Sequence, residues 1–132
     1  MPKQDVEPTL YFDVPPLRVE VYCAPGFRQV VAAMCYADEQ VETHVATINA
    51  LIERFSRGDR LSSEAFRQEP PGYAFRSGRV RFYGVYSDEK KGSFVLSHAI
   101  VKRTQKLGKS DVNEMSKCLK AFEAWAISRR DQ

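Results

Sequence analysis

Arg79, Arg81 and Tyr83 lie two residues apart in a stretch, Arg79 to Ser87, that alternates polar and apolar side chains. On a β-strand that spacing puts all three on one face. Two guanidinium forks projecting together hold a phosphate bidentately, and the phenol beside them offers a ring for a base to stack on. The competing reading is an edge strand charged to deter aggregation. The surrounding composition decides between them. From Arg76 to Lys109 there are nine basic residues and two acids, Asp88 and Glu89, so this third of the chain carries +7 while the whole chain carries +3. Residues 1–75 hold seven bases against eleven acids. Positive charge concentrated in this way reads as a site for a polyanion, with nucleic acid the first candidate.

Residue roles follow from that reading. Arg81, Arg79, His98 and Lys102 are the candidate catalytic groups, and Arg76, Tyr83, Arg103, Lys106 and Lys109 the candidates for holding substrate. His98 lies in an apolar run, where a histidine satisfied within the core is the commoner case. Alternation nevertheless puts Phe94, Leu96, His98, Ile100 and Lys102 on one face, near the basic exit, where an imidazole can transfer protons at neutral pH. Tyr83 and Tyr73 are the rings expected to meet bases, with Phe82 and Tyr86 in the core. His44 receives no role. No glycine-rich phosphate loop, Ser-His-Asp arrangement, zinc-ligand spacing or paired-carboxylate motif is present in the 132 residues. Cys23, Cys35 and Cys118 are scattered in apolar stretches and read as free thiols. Neither a metal nor a cofactor is expected.

The elements that must position these groups are legible from periodicity. Residues 1–16, with four prolines, read as an extended arm, and residues 17–132 as one domain. Leu17 to Ala24 alternates as a first strand, with Leu17, Val19, Val21 and Cys23 on one face. Phe27, Val30, Val31 and Met34 have helical spacing. Asp38 caps a second helix whose stripe is Val41, Val45, Ile48, Ile52 and Phe55, ended by Gly58. One long bent helix is the other possibility for this region. Residues 59–72 read as a connection of low structure. Tyr73 to Arg76 and Arg79 to Ser87 are strands joined through Ser77-Gly78, and Ser93 to Val101 is a central strand buried on both faces. Ser110 caps a last helix with Asp111 in its first turn and Val112, Met115, Leu119, Phe122 and Ala126 as its stripe. The predicted class is α+β, a small antiparallel sheet in the order β-α-α-β-β-β-α with a helical hairpin and a C-terminal helix, one sheet face being left open for a ligand. No apolar run approaches the roughly 20 residues of a membrane helix, and the first residues do not read as a secretory signal, so a cytoplasmic protein is expected.

The segment from Tyr73 to Lys106 resembles the RelE/ParE toxin superfamily, in its HigB-like, phage-related branch. The carriers are Tyr73-x-x-Arg76, the arginine strand Arg79 to Tyr86, and an apolar strand running into Val101-Lys102-Arg103-Thr104-Gln105-Lys106. In that family the last segment reads Phe-Val-Lys-Lys-Thr-Gln-Lys, so Ile100 stands in place of an aromatic residue and Arg103 in place of a lysine. The C-terminal tyrosine of some nuclease members is absent. The resemblance implies a RelE-like fold and the toxin of a type II toxin–antitoxin system. It also implies a cognate antitoxin, a small helix-turn-helix protein encoded adjacently, and a metal-independent endonuclease acting on mRNA, on the ribosome or free of it. Two alternatives stay open: a ParE-like inhibitor of DNA gyrase, and a non-catalytic module binding nucleic acid or a partner.

Overall fold

The computed structural model describes residues 7–11, 18–103 and 108–130. Two short strands, β1 (Thr9–Leu10) and β2 (Glu20–Cys23), precede two helices, α1 (Phe27–Ala37) and α2 (Glu39–Ser56). Four strands follow, β3 (Phe66–Glu69), β4 (Gly72–Ser77), β5 (Val80–Ser87) and β6 (Ser93–Val101), and then α3 (Lys109–Arg130). The strands form one six-stranded sheet in the order β1-β2-β6-β5-β4-β3. All neighbours are antiparallel except β2 and β6, which run parallel. The architecture is α+β with a mostly antiparallel sheet. Among the described residues, no helix is long and apolar enough to cross a membrane.

Local chemistry explains the helices. Asp38 adopts extended backbone (φ −152°) and its Oδ1 accepts from the Gln40 N–H at 2.8 Å, so it ends α1 and caps α2 in one residue. The two-helix reading is therefore the one adopted. The stripe of Val41, Val45, Ile48, Ile52 and Phe55 is buried throughout, and Gly58, at φ 93°, turns the chain just beyond the helix end. On α1 the stripe is narrower than predicted, because Phe27 and Val31 are buried while Val30 is 49% exposed.

Several expectations are corrected. The sheet is not wholly antiparallel, and its second face is not open. The pair α1 and α2 covers one face with an apolar core of Val21, Phe27, Ile48, Phe75, Phe82, Phe94 and their neighbours, and α3 covers the other over Tyr22, Tyr83, Val85 and Val95. Part of the proline-rich arm joins the sheet, since Thr9 and Leu10 pair with Cys23 and Tyr22. The 59–72 connection contains β3, anchored by Phe66, whose ring stacks on Tyr73 at 4.7 Å. Strand β2 starts at Glu20, and Leu17 lies outside the described residues. The helix α3 begins at Lys109, one residue before the cap assigned to Ser110.

The hairpin turn is also shifted by one residue. Ser77 opposes Val80, so Gly78 and Arg79 form the two-residue loop, Gly78 with φ 56°. The side chain of His44 lies where a Cβ at residue 78 would stand, 2.5 Å from its ring atoms, so both the backbone angle and the packing require glycine.

Candidate nucleic-acid interface

The α3-facing side of the sheet gathers the polar chemistry. Across β4 and β5, Arg76 opposes Arg81 and Ala74 opposes Tyr83, while across β5 and β6 Arg81 opposes Ile100 and Tyr83 opposes His98. Residues directly opposite in an antiparallel pair share a face, so Arg76, Arg81, Tyr83 and His98 all lie on one side. Arg67 and Glu69 of β3 oppose Ala74 and Gly72 and share it too.

His98 reaches this side through an irregularity. Tyr83 pairs with His98 but Gly84 pairs with Leu96, leaving Ser97 as an extra residue in β6. The extra residue breaks the alternation. Phe94 and Leu96 therefore point into the α1–α2 core, whereas His98 and Ile100 face α3. The single face predicted for Phe94, Leu96, His98, Ile100 and Lys102 is thus corrected, and the correction brings His98 to Tyr83.

At the start of α3, Asp111 is 4% exposed and receives three donors. His98 Nε2 lies 2.9 Å from its Oδ1, the Gly108 N–H donates to Oδ2 at 3.2 Å, and Lys102 Nζ donates to the same Oδ2. Burial alone would raise this carboxyl, but the hydrogen bonds from Lys102, His98 and Gly108 hold it below the usual carboxylate range. With Asp111 ionised, an acceptor only, the His98 Nε2–H donates to the carboxylate. The ring's Nδ1 lies 2.8 Å from the Ser97 hydroxyl, within hydrogen-bond distance. For Lys102, burial works against the charge, yet hydrogen bonds to Asp111 and Tyr83 prevail and raise its pKa, so it stays a cation. The Tyr83 ring is stacked on His98 (4.8 Å, 19°) with Lys102 Nζ 5.5 Å from its centroid, and burial pushes its hydroxyl up.

The predicted residues fare differently. Arg76, Arg81, Tyr83, His98 and Lys102 are brought to one face. Arg81 is not the exposed fork that alternation suggested: it is 5% exposed, and its Nη1 donates to the carbonyls of Gly78 (2.7 Å) and Val80 (3.0 Å). Burial lowers its pKa, and the neighbouring Arg76 adds to the effect. Tyr83 is 2% exposed and cannot stack on a base in this state, while Tyr86, assigned to the core, is 45% exposed. Arg79 does not share the face of Arg81. It sits in the turn and lines a cavity of about 420 Å³ with Asp38, Gln40, His44 and Val101, on the α2 side. The excluded His44 has a structural place there, its Nδ1 2.8 Å from Ser77 Oγ. Arg103 and Lys109 are exposed, and Lys106 lies outside the described residues.

Sequence reasoning missed Asp111, read only as a first-turn acid, together with Ser97, Arg67 and Glu69. Arg67 and Glu69 had no signal, since Phe66 to Glu69 is one apolar residue followed by three polar ones. Asp111 had none in the linear pattern, because its side-chain partners lie nine and thirteen residues away and meet it only after the chain turns back as a helix.

The helix packs along β5 and β6. The β3–β4 half of this face therefore lies beside it, with Arg67 exposed and 3.6 Å from Glu69. Arg76 is half-buried and, with Glu64, Ser77 and Gly78, lines an open cavity of about 280 Å³ at the hairpin end. No protein-family profile matches this sequence, and neither does any curated protein.

Proposed function

We propose that this chain binds RNA along the β3–β4–β5 strip beside α3 and acts as a RelE-like toxin, a metal-independent endonuclease directed at mRNA. The observation that carries the reading is the cross-strand pair Arg76–Arg81 on the same face as Tyr83, His98 and Lys102. Arg76, with Arg67 beyond it, takes phosphate oxygens, while Arg81 stiffens the hairpin from beneath. In strand scission of this kind the 2′-oxygen attacks the adjacent phosphorus, its proton passes to a base, and the 5′-oxygen leaves with a proton from an acid. Lys102, held protonated, supplies charge to the phosphorane-like transition state rather than accepting a proton. His98 is the proton-transfer group. Because the 2′-hydroxyl is the nucleophile, DNA is not cleaved. The partner this reading requires is an antitoxin encoded beside the toxin.

One observation favours a second reading, a non-catalytic RNA-binding protein. Both ring nitrogens of His98 are already engaged, by Asp111 and Ser97. Cleavage requires one of these bonds to open when RNA binds. Induced expression followed by mapping of transcript 5′ ends separates the readings. New ends at defined positions, absent in His98→Ala, support the nuclease. Intact transcripts with RNA still captured support the binder, and intact transcripts with broken DNA overturn both.

A further inference from the structure

Far from Asp111, the flank of α3 carries two adjoining hollows that share one side chain, Trp125. The smaller, about 110 Å³, is an apolar socket walled by Pro8, Pro25, Val95, Cys118, Phe122 and Trp125. The larger, about 350 Å³, is lined by Tyr22 and Trp125 together with Lys90, Arg129 and Arg130, against the single carboxylate of Glu89. The aromatic wall is well fixed: the ring of Tyr22 lies 5.1 Å from Phe122 and 5.7 Å from Trp125.

The cations at the rim are available for exchange. Arg130 pairs with Glu89 at 2.7 Å and Lys90 with Glu20 at 3.3 Å, all four side chains being more than a third exposed. Ion pairs in such a setting contribute little, so substituting a partner's carboxylate costs little. Arg129 lies over the Trp125 ring at 5.6 Å and, among the described residues, has no carboxylate within ion-pair distance. An apolar socket, a tryptophan at its lip and an arginine rim match the make-up of protein-binding hot spots.

We infer that this flank of α3 docks a protein partner through a short acidic segment. A bulky apolar side chain of that segment enters the socket beside Trp125, and the carboxylates next to it pair with Arg129, Arg130 and Lys90. Charge complementarity selects acids, and the socket selects a peptide over RNA, whose phosphates have no use for an apolar hollow. Trp125 is fourteen residues along α3 from Asp111, about 21 Å at roughly 1.5 Å per residue. The site is therefore separate from the arginine strip and does not depend on the RNA reading.

Trp125 is the one tryptophan in the chain, so its fluorescence reports on this groove alone. The test is selection of a random dodecapeptide phage library on the immobilised full chain, counter-selected against Arg129→Glu, followed by titration of the synthetic consensus peptide. The expected result is a consensus with an apolar residue beside Asp or Glu and a saturable change in Trp125 emission. Binding should weaken at least tenfold in Arg129→Glu and stay unchanged in Arg76→Ala. Arg129 is exposed, and circular dichroism should show the same fold in its variant. The inference is overturned if no consensus emerges, if the consensus lacks acids, or if its peptide binds Arg129→Glu as well as the wild type. It is also overturned if an RNA oligomer or anionic vesicles, and not the peptide, produce the Arg129-dependent signal.

Discussion

The two faces of one sheet are built from different materials. Between the sheet and the α1–α2 pair lies hydrocarbon, with Phe27 against Phe82, and Phe55, Phe66, Phe75 and Phe94 in a second group of touching rings. Beneath and beside α3 the sheet presents Arg81, Tyr83, Ser97 and His98, and the last of these joins Lys102, just past β6, in bonding to Asp111 of α3. The first face supplies non-directional burial and tolerates modest reshaping. The second depends on directed bonds, each of which leaves a buried polar group stranded if broken. Apolar burial and directed polar bonding are thus divided across a single layer of backbone.

The sharpest way to break this contrast is Phe82→Ala, on the apolar face. The ring is fully buried, and its removal should cost about 3–5 kcal/mol in urea denaturation. RNA affinity per folded molecule should not change. A loss of affinity in protein that is still folded would show that the faces are coupled.

Asp111→Asn tests the polar face. It keeps the shape but removes the charge, leaving Lys102 buried beside a neutral amide, and should cost about 1–3 kcal/mol. The pH dependence carries the diagnostic sign. The native state holds Asp111 below its usual range, so the stability it confers is present above about pH 4 and is lost as pH falls through the lowered value. Lys102 is raised, so its contribution is present below about pH 10.4 and is lost as pH rises through the higher value. Denaturation midpoints across that range should fall off at both ends in the wild type. In Asp111→Asn those two limbs should flatten, and unchanged limbs would refute the clamp.

Arg76→Ala, at a half-buried position, should cost about 1 kcal/mol of stability and weaken RNA binding by one phosphate contact. In a log–log salt titration the slope should shrink by about 0.7, the value for one contact to a single strand. An unchanged slope would remove Arg76 from the interface. The smallest effect is expected for Arg79→Ala, since Arg79 is exposed and lines the α2-side cavity. Filter-binding affinity within twofold of the wild type would confirm that the strip lies on one face only.

The sequence disclosed the elements better than their faces. The α2 stripe and the capping role of Asp38 were readable because helical period and capping chemistry are local. The central strand was readable because a continuous apolar run has few other uses. The facing of His98 was not readable, since one extra residue, Ser97, inverts the parity of everything after it. Arg81 looked exposed because strand alternation says nothing about a long side chain folding back onto the carbonyls of its own turn. Phe66 to Glu69 was too short and too polar to stand out as a strand until Phe75 lay beside it. The convergence on Asp111 is wholly tertiary, so composition, which marks the run of bases, gives no sign of the acid that His98 and Lys102 meet.

The parallel pairing of β2 with β6 bears on how the chain is made. Register joins Cys23 to Leu96, so the N-terminal strand finds its main neighbour some 70 residues later. At roughly 5–20 residues per second, a ribosome takes about 4–14 s to deliver that neighbour. The hairpins β3–β4 and β5–β6 can close as they emerge, but the apolar faces of α1 and α2 have no completed sheet to rest on until β6 is out. Synthesis therefore carries an early segment with its oily side uncovered, and the last central strand serves as the keystone that allows the beginning of the chain to settle.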